Sequence, residues 1–370
     1  MSSQESRPRG GLRATPRSTQ RPLRVVAIGG GTGLSTLLKG LKAYVTTPGS
    51  PPVADTDVPA IDSLTAVVTV TDDGGSSGRL RKEFNMLPPG DIRNCIVALS
   101  EDEALLSKLF QYRFTQGAGL EGHSFGNLFV TALTAVTGDF AKAVELSSAI
   151  LATRGQIVPS TTSNVQLVAS MNDGSEVTGE TNITASEQRI VELRMVPKDA
   201  QPLPETLAAI ANADLITIGP GSLFTSLIPN LLVQGVAAAI AESPALKVFV
   251  CNLMTQANES LDLSAADHVL AIYMHAGAKR LFDVALVNDR PVSAALRAKY
   301  AEEGQTQIEL DEAGFRTLGL RVLTGDFLEE DVMARHATHR LAKRLLALGM
   351  EHVALRENLR ESHATPAATD

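Results

Sequence analysis

The residues of this chain best suited to chemistry are glycines, carboxylates and amides placed directly after apolar runs. Val25-Val26-Ala27-Ile28 leads into Gly29-Gly30-Gly31-Thr32-Gly33, and Leu34, Leu37, Leu38 and Leu41 follow at helical spacing. A strand that ends in glycines and opens a helix makes an anion site. Glycine lets a backbone approach closely, and the free N–H groups at the helix start point at a phosphate. The run departs from a dinucleotide loop, because Leu34 stands where the third glycine of G-x-G-x-x-G belongs. No Gly-Lys-Ser/Thr follows to make a Walker loop. By itself the run reads either as a phosphate turn or as a tight strand-to-helix turn without a ligand.

Three further turns have the same character. Leu64–Val70 is a continuous apolar and β-branched run that ends in Thr71-Asp72-Asp73-Gly74-Gly75. A carboxylate there can bind a ribose hydroxyl or a Mg²⁺ bridging phosphates, and the alternative is an ordinary Asp-Gly turn. Leu215–Ile218 ends in Gly219-Pro220-Gly221-Ser222, and Lys247–Cys251 ends in Asn252, with Thr255 and Gln256 close behind. Gly74–Gly78 with Arg79 and Arg81 reads as a flexible cationic loop, either phosphate-binding or simply solvated. Asp91 opens a helix after Pro88-Pro89-Gly90, where it either complements the helix end or serves a metal or phosphate network. His123 and Asn127 lie four apart in a glycine-flanked segment and are expected on one helix face; a lone histidine is also a common structural residue. Arg335 and His339 are expected on one face of a late helix, which spacing alone reads as a solvated cationic face.

These turns need elements to position them. Strands alternate with helices, at about Leu34–Ala43, Asp91–Leu99, Glu103–Phe114, Phe125–Thr137, Phe140–Ala152, Pro204–Asn212, Ser222–Ile228, Leu231–Glu242, Ala265–Ala276, Val292–Tyr300 and Glu330–Leu348. The alternation predicts an α/β, Rossmann-like doubly wound, mainly parallel sheet. Composition shifts between 156 and 197, where short β-branched runs and turn signals predict a small antiparallel excursion within one domain spanning 23–350. Residues 1–22 and 351–370 read as disordered tails. In a doubly wound sheet the polar turns converge at the C-terminal ends of the strands, and that convergence outweighs any single motif.

Bulk properties exclude some classes. A net charge of −8 over 370 residues argues against a nucleic-acid surface, and the absence of Trp with 4% aromatics argues against base-stacking platforms. The two cysteines, Cys95 and Cys251, lie far apart and make neither a disulfide framework nor a zinc spacing, so a reducing cytoplasm is the expected home. The longest apolar region, Leu227 to Leu253, is interrupted by Pro229, Asn230, Gln234, Glu242, Pro244 and Lys247, so no membrane span is expected. No G-x-S-x-G elbow, catalytic-cysteine setting or His-rich cluster marks a covalent nucleophile.

The segments GGGTG, TVTDDGGSSGRLR, PPGDIRN, GHSFGNLF, GPGSLFTSLIPNLLV, CNLMTQ and RHAT, in this order and spacing, resemble the gluconeogenesis factor family. That likeness spans about Arg24 to Leu348. The family is similar, more distantly, to the CofD-like 2-phospho-L-lactate transferases, and both imply a Rossmann-like fold. The resemblance implies a cytoplasmic bacterial protein needed for cell shape and wall synthesis on gluconeogenic carbon. It implies a regulator that binds UDP-sugars, notably UDP-N-acetylglucosamine, with no catalytic residue. It ties Arg335 to nucleotide-sugar binding and Thr338 to regulatory phosphorylation, with cell-wall or kinase proteins as partners.

The site implied is Gly29, Gly30, Gly31, Thr32, Gly33, Asp72, Asp73, Asn94, His123, Asn127, Gly219, Gly221, Ser222, Asn252 and Arg335. The transferase likeness places a candidate Mg²⁺ on Asp72 or Asp73, with Asp91 as a further carboxylate, and a homo-oligomer is the expected state. One departure is visible: Ala257-Asn258-Glu259-Ser260 stands where the family usually shows Pro-Gly-Glu-Thr. The alternative function is a Mg²⁺-dependent CofD-like transfer of a phosphate-linked group. A dehydrogenase ranks third because the third fingerprint glycine is missing.

Overall fold

The computed structural model describes residues 21–46, 58–101, 104–277 and 280–364. Most of the N-terminal tail expected to be disordered lies outside these residues. The first unit is β1 (Leu23–Gly29), α1 (Gly31–Lys42) and β2 (Ile61–Val68). Five helices follow: α2 (Gly75–Phe84), α3 (Gly90–Leu99), α4 (Ala104–Gln111), α5 (Phe125–Thr137) and α6 (Phe140–Ile150). Then come β3 (Gln156–Pro159), β4 (Gln166–Met171), β5 (Glu176–Thr178), α7 (Glu180–Ala185) and β6 (Ile190–Val196). The alternation resumes with α8 (Pro204–Asn212), β7 (Leu215–Ile218), a π-helical turn at Leu223–Leu227, α9 (Ile228–Leu232), α10 (Val236–Glu242), β8 (Leu246–Val250), α11 (Ala265–Ala276) and β9 (Val284–Asn288). The chain closes with α12 (Ala294–Ala301), α13 (Glu312–Leu318), β10 (Arg321–Gly325), β11 (Leu328–Glu330), β12 (Ala334–His336) and α14 (Thr338–Ala364).

Seven strands form one sheet in the order β10-β9-β8-β7-β1-β2-β3, and every pairing in it is parallel. The central strands are apolar almost throughout because both faces are covered; in β1 only Arg24 is not fully buried. The chain moves outward through β1, β2 and β3, then returns to start again at β7 on the other side of β1. Helices α1, α3 and α14 pack together, whereas α8 to α11 form a second group. Right-handed crossovers put these groups on opposite faces of the sheet. The topological switch point therefore lies between β1 and β7, and the crevice beyond their carboxyl ends is where such sheets bind ligands.

The predicted antiparallel excursion is present but smaller than its expected range. β3 joins the parallel sheet against β2, and only β5-β4-β6 form the antiparallel sheet. Three other expectations are corrected. Gly74–Gly78 is not a flexible loop: Gly75 opens α2, in which Ser76, Ser77 and Gly78 are buried. The last helix starts at Thr338 rather than Glu330, because Leu328–Glu330 and Ala334–His336 pair as a hairpin. The tail from 351 is not disordered to Ala364 but continues α14; Val353 is buried, and His352 and Arg356 both bond the Pro244 carbonyl. Arg21, placed by sequence in the N-terminal tail, is also held. With Arg24 it brackets the buried carboxylate of Asp214 at 2.8–3.1 Å. No single helix among the described residues is long and apolar enough to cross a membrane.

Candidate functional site

The glycine turns after β1 and β7 meet face to face at the switch point. A side chain at Gly33 would place its Cβ 2.3 Å from the Pro220 carbonyl oxygen and 2.8 Å from the Gly221 Cα. Only glycine allows α1 to start this close to the second turn. Gly31 adopts φ +59°, a left-handed conformation that glycine takes without strain. Gly30 is the N-cap of α1 and offers no side chain, and the first turn of the helix holds no acidic residue. The Gly31 N–H is taken by Asp91 behind the turn, and the following N–H groups and the positive end of the α1 dipole are left towards the crevice.

Asn252, after β8, holds the second turn rather than standing free. Its Oδ1 accepts from the Gly221 N–H at 3.0 Å, and its Nδ2 donates to the Gly221 carbonyl at 2.8 Å. Buried Asn230 on α9, which no sequence signal marked, ties the first turn to the π-helical turn. Its Nδ2 donates to the carbonyls of Gly29 (3.2 Å) and Ser226 (2.8 Å). One cavity is lined by Thr32, Gly33, Thr36, Pro220, Gly221, Ser222, Asn252, Tyr300 and Arg335. Arg335 reaches it from β12, opposite Glu329, and not from a helix face shared with His339, which lies in α14. It is exposed and has no partner among the described residues. Its neighbour His336 is buried, its Nε2–H donating to the Cys251 carbonyl at 3.1 Å, and burial pushes its pKa down to about 4. The hairpin is fixed from α12, where the Tyr300 hydroxyl accepts from the Ala334 N–H and Lys299 bonds the Val332 carbonyl. Thr338 starts α14 three residues after Arg335, with its carbonyl against Gly40 of α1.

Carboxylates gather behind the first glycine turn. Asp91 lies against Gly30, whose Cβ would come within 2.7 Å of Oδ2, and it accepts from the Gly31 N–H. Burial and the charge of Asp72 push its pKa up to about 7. Asp72 accepts from the Gly74 N–H at 2.9 Å and lies against Gly90. Asp73 turns away, accepting from the Thr181 N–H and hydroxyl at 2.8 and 2.6 Å, so the two adjacent aspartates do different work. Two carboxyls that sequence reasoning did not place here join the group. Burial, then Asp91 and Asp72, raise Glu180 to about 9; burial raises Glu259 to about 7 against a 3.0 Å bond from the Thr225 N–H. Glu180 carried no signal, being one acidic residue in the antiparallel region. Glu259 stands in the segment that departs from the family pattern.

Among the described residues no three His, Cys, Asp or Glu side chains converge to hold a metal by themselves. The donors present still fit a Mg²⁺ held with a ligand's help. That ion usually takes one or two carboxylates plus phosphate oxygens and water, and Asp72 and Asp91 lie within each other's field beside the start of α1.

His123 and Asn127 do not share a helix face, because His123 precedes Ser124, the N-cap of α5. They converge on α2 instead. His123 Nδ1 is 2.9 Å from the Ser76 hydroxyl, and Asn127 Nδ2 lies 3.2 and 3.4 Å from the Ser76 and Ser77 hydroxyls. Burial and Arg79 depress the His123 pKa. Asn94 on α3 accepts from Arg93 at 2.7 Å. The structure therefore brings Gly29–Gly33, Gly219–Ser222, Asn252 and Arg335 to one cleft, with Asp72 and Asp91 behind it. His123, Asn127 and Asn94 form a neighbouring polar group around α2 and α3.

The chain matches the family described as 2-phospho-L-lactate transferase CofD over residues 25–328. It is 46% identical over 323 residues to the gluconeogenesis factor of Halalkalibacterium halodurans, covering 87% of this chain and 95% of that one. It is 44% identical over 331 residues to the gluconeogenesis factor of Bacillus subtilis, covering 89% and 98%. A crystal structure of a Bacillus halodurans protein superposes with a TM-score of 0.82 at 45% identity, covering 88% of this chain and 100% of that one.

Proposed function

The chain belongs to the gluconeogenesis factor family within the CofD-like proteins, and we propose that it binds a UDP-sugar, UDP-N-acetylglucosamine, as a non-catalytic cytoplasmic regulator of cell shape and wall synthesis during gluconeogenic growth. The observation that supports this reading is the meeting of two glycine turns beside Arg335, which has no side-chain partner among the described residues. The N–H groups of the α1 start face the diphosphate, and the Arg335 guanidinium closes over it from the hairpin as a bidentate fork. Asn252 holds the second turn in place by bonding both the N–H and the carbonyl of Gly221. Phosphorylation of Thr338 would put a dianion at the start of α14, where the helix dipole favours it, and would draw Arg335 away from the ligand.

Calorimetry with UDP-N-acetylglucosamine, GDP and NAD, each with and without Mg²⁺, tests the reading. The UDP-sugar should bind tightest. Preference for GDP or NAD would overturn it.

A second reading rests on a separate observation, the Asp72–Asp91 pair beside the α1 start. As a CofD-like transferase the chain would hold Mg²⁺ on these two carboxylates, and the ion would neutralise the charge of a departing phosphate. Incubation with nucleotide, Mg²⁺ and candidate acceptors, followed by chromatography, separates the two. The regulator leaves UDP-N-acetylglucosamine intact over hours, whereas Mg²⁺-dependent turnover lost in Asp72→Asn promotes the transferase.

A further inference from the structure

Three arginines converge on the loop that precedes α5, outside the diphosphate cleft. Arg79, one turn into α2, donates to the Glu121 carbonyl at 2.7 Å, and Arg113 donates to the adjacent Gly122 carbonyl. The Arg79 guanidinium also lies within 2.9 Å of where a Gly122 Cβ would stand. Arg93 approaches from α3, its stem packed against Gly126 and its charge felt by Arg113. The Arg93 Nε is buried and has no hydrogen-bond partner among the described residues.

None of the three forms an ion pair among the described residues, although acidic side chains outnumber basic ones in this chain by 41 to 33. Like charges held together without a carboxylate repel, and one of them is largely desolvated. Arg93 feels Asp91 and Asp72, and Glu83 acts on His123 together with Arg79 and Arg113, yet none of these carboxylates is in an ion pair with the three guanidiniums among the described residues. The guanidiniums border the polar knot of His123, Ser76 and Asn127, where the Asn127 Oδ1 is buried and unpartnered. One unmatched acceptor, the Asn127 Oδ1, and one unmatched donor, the Arg93 Nε, suit a ligand that carries both a hydroxyl and an anion.

We propose that Arg79, Arg93 and Arg113 form a second anion site, separate from the diphosphate cleft, that takes a phosphate dianion, free or on a small hydroxylated ester. Asp91, bonded to the Gly31 N–H on one side and facing Arg93 on the other, is the wall between the two sites. The site stands whether or not the cleft takes a UDP-sugar.

The test is calorimetry of the full chain with inorganic phosphate and with glycerol 3-phosphate, against sodium chloride at matched ionic strength. Saturable binding is expected, weakened about tenfold in Arg93→Ala and in Arg113→Gln, as loss of one charge-assisted bond implies. Arg113 is exposed, so its variant keeps the fold if Arg93→Ala does not. Arg316→Ala on α13, which removes an exposed i,i+4 ion pair with Glu312, should bind as wild type. Tighter binding of the ester than of free phosphate identifies an ester ligand, and equal binding identifies phosphate itself. No saturable signal beyond chloride, equal loss in Arg316→Ala, or loss confined to Arg335→Ala would each overturn the second site.

Discussion

At the residue scale, two glycines of one turn have different reasons to be glycine. Gly33 is fixed by contact, because a Cβ would meet the Pro220 backbone at 2.3 Å. Gly31 is fixed by conformation: at φ +59° an added Cβ meets nothing nearer than 3.6 Å. Gly31→Ala should therefore cost about 1–2 kcal/mol of backbone strain and leave a folded protein. Gly33→Ala should force the two turns apart, costing about 1–3 kcal/mol and weakening nucleotide binding further. Thermal unfolding and calorimetry on the two variants check the order; equal effects on affinity would contradict it.

Asp214 gives a pH dependence. Its carboxyl, hydrogen-bonded by Arg21 and Arg24, titrates well below the ordinary carboxylate range. The folded state thus holds the proton more weakly than the unfolded chain. The resulting stability is present above about pH 4 and is lost as pH falls below it. Asp214→Asn should lower the melting temperature at pH 7, and the gap to wild type should narrow steadily as pH falls below about 4, without closing by pH 3. A constant difference across that window would rule the linkage out.

At the element scale, the parts legible in the sequence were those whose cause is local. The β1 run and its glycines announce a strand, a turn and a helix within twenty residues, and they appear as β1 and α1. The β10–β12 region carries no such signal. β11 and β12 are three residues each, too short to show a period, so the segment around Arg335 reads as helix until its pairing with Leu328–Glu330 is known. Asp73 looks equivalent to Asp72 in sequence, and only the remote Thr181 separates them. Glu180 reaches the site from the antiparallel region, a placement no local pattern encodes.

The C-terminal half of α14 reads as a tail because few of its side chains pack on the core and even Leu355 and Leu359 are exposed. Its contacts nevertheless predict a cost. Ending the chain at Met350 removes buried Val353 and both bonds to the Pro244 carbonyl, and should destabilise the fold by about 1–3 kcal/mol in urea unfolding. An unchanged midpoint would show that this stretch merely extends into solvent.

At the scale of the whole molecule, a seven-stranded parallel sheet reverses its strand order between β1 and β7, and the meeting of the two glycine turns follows from that reversal. The hairpin that carries Arg335 comes from the far end of the chain and closes the crevice. The central claim is that this closure holds a nucleotide-sugar. Calorimetric titration of UDP-N-acetylglucosamine into wild type and Arg335→Ala tests it most directly. Arg335 is exposed and makes no bond that the fold needs, so the variant should melt with wild type. Its affinity should fall by about one to two orders of magnitude, as expected for a charge-assisted bond of about 1.5–3 kcal/mol. Wild-type affinity in Arg335→Ala would contradict the assignment of the cleft.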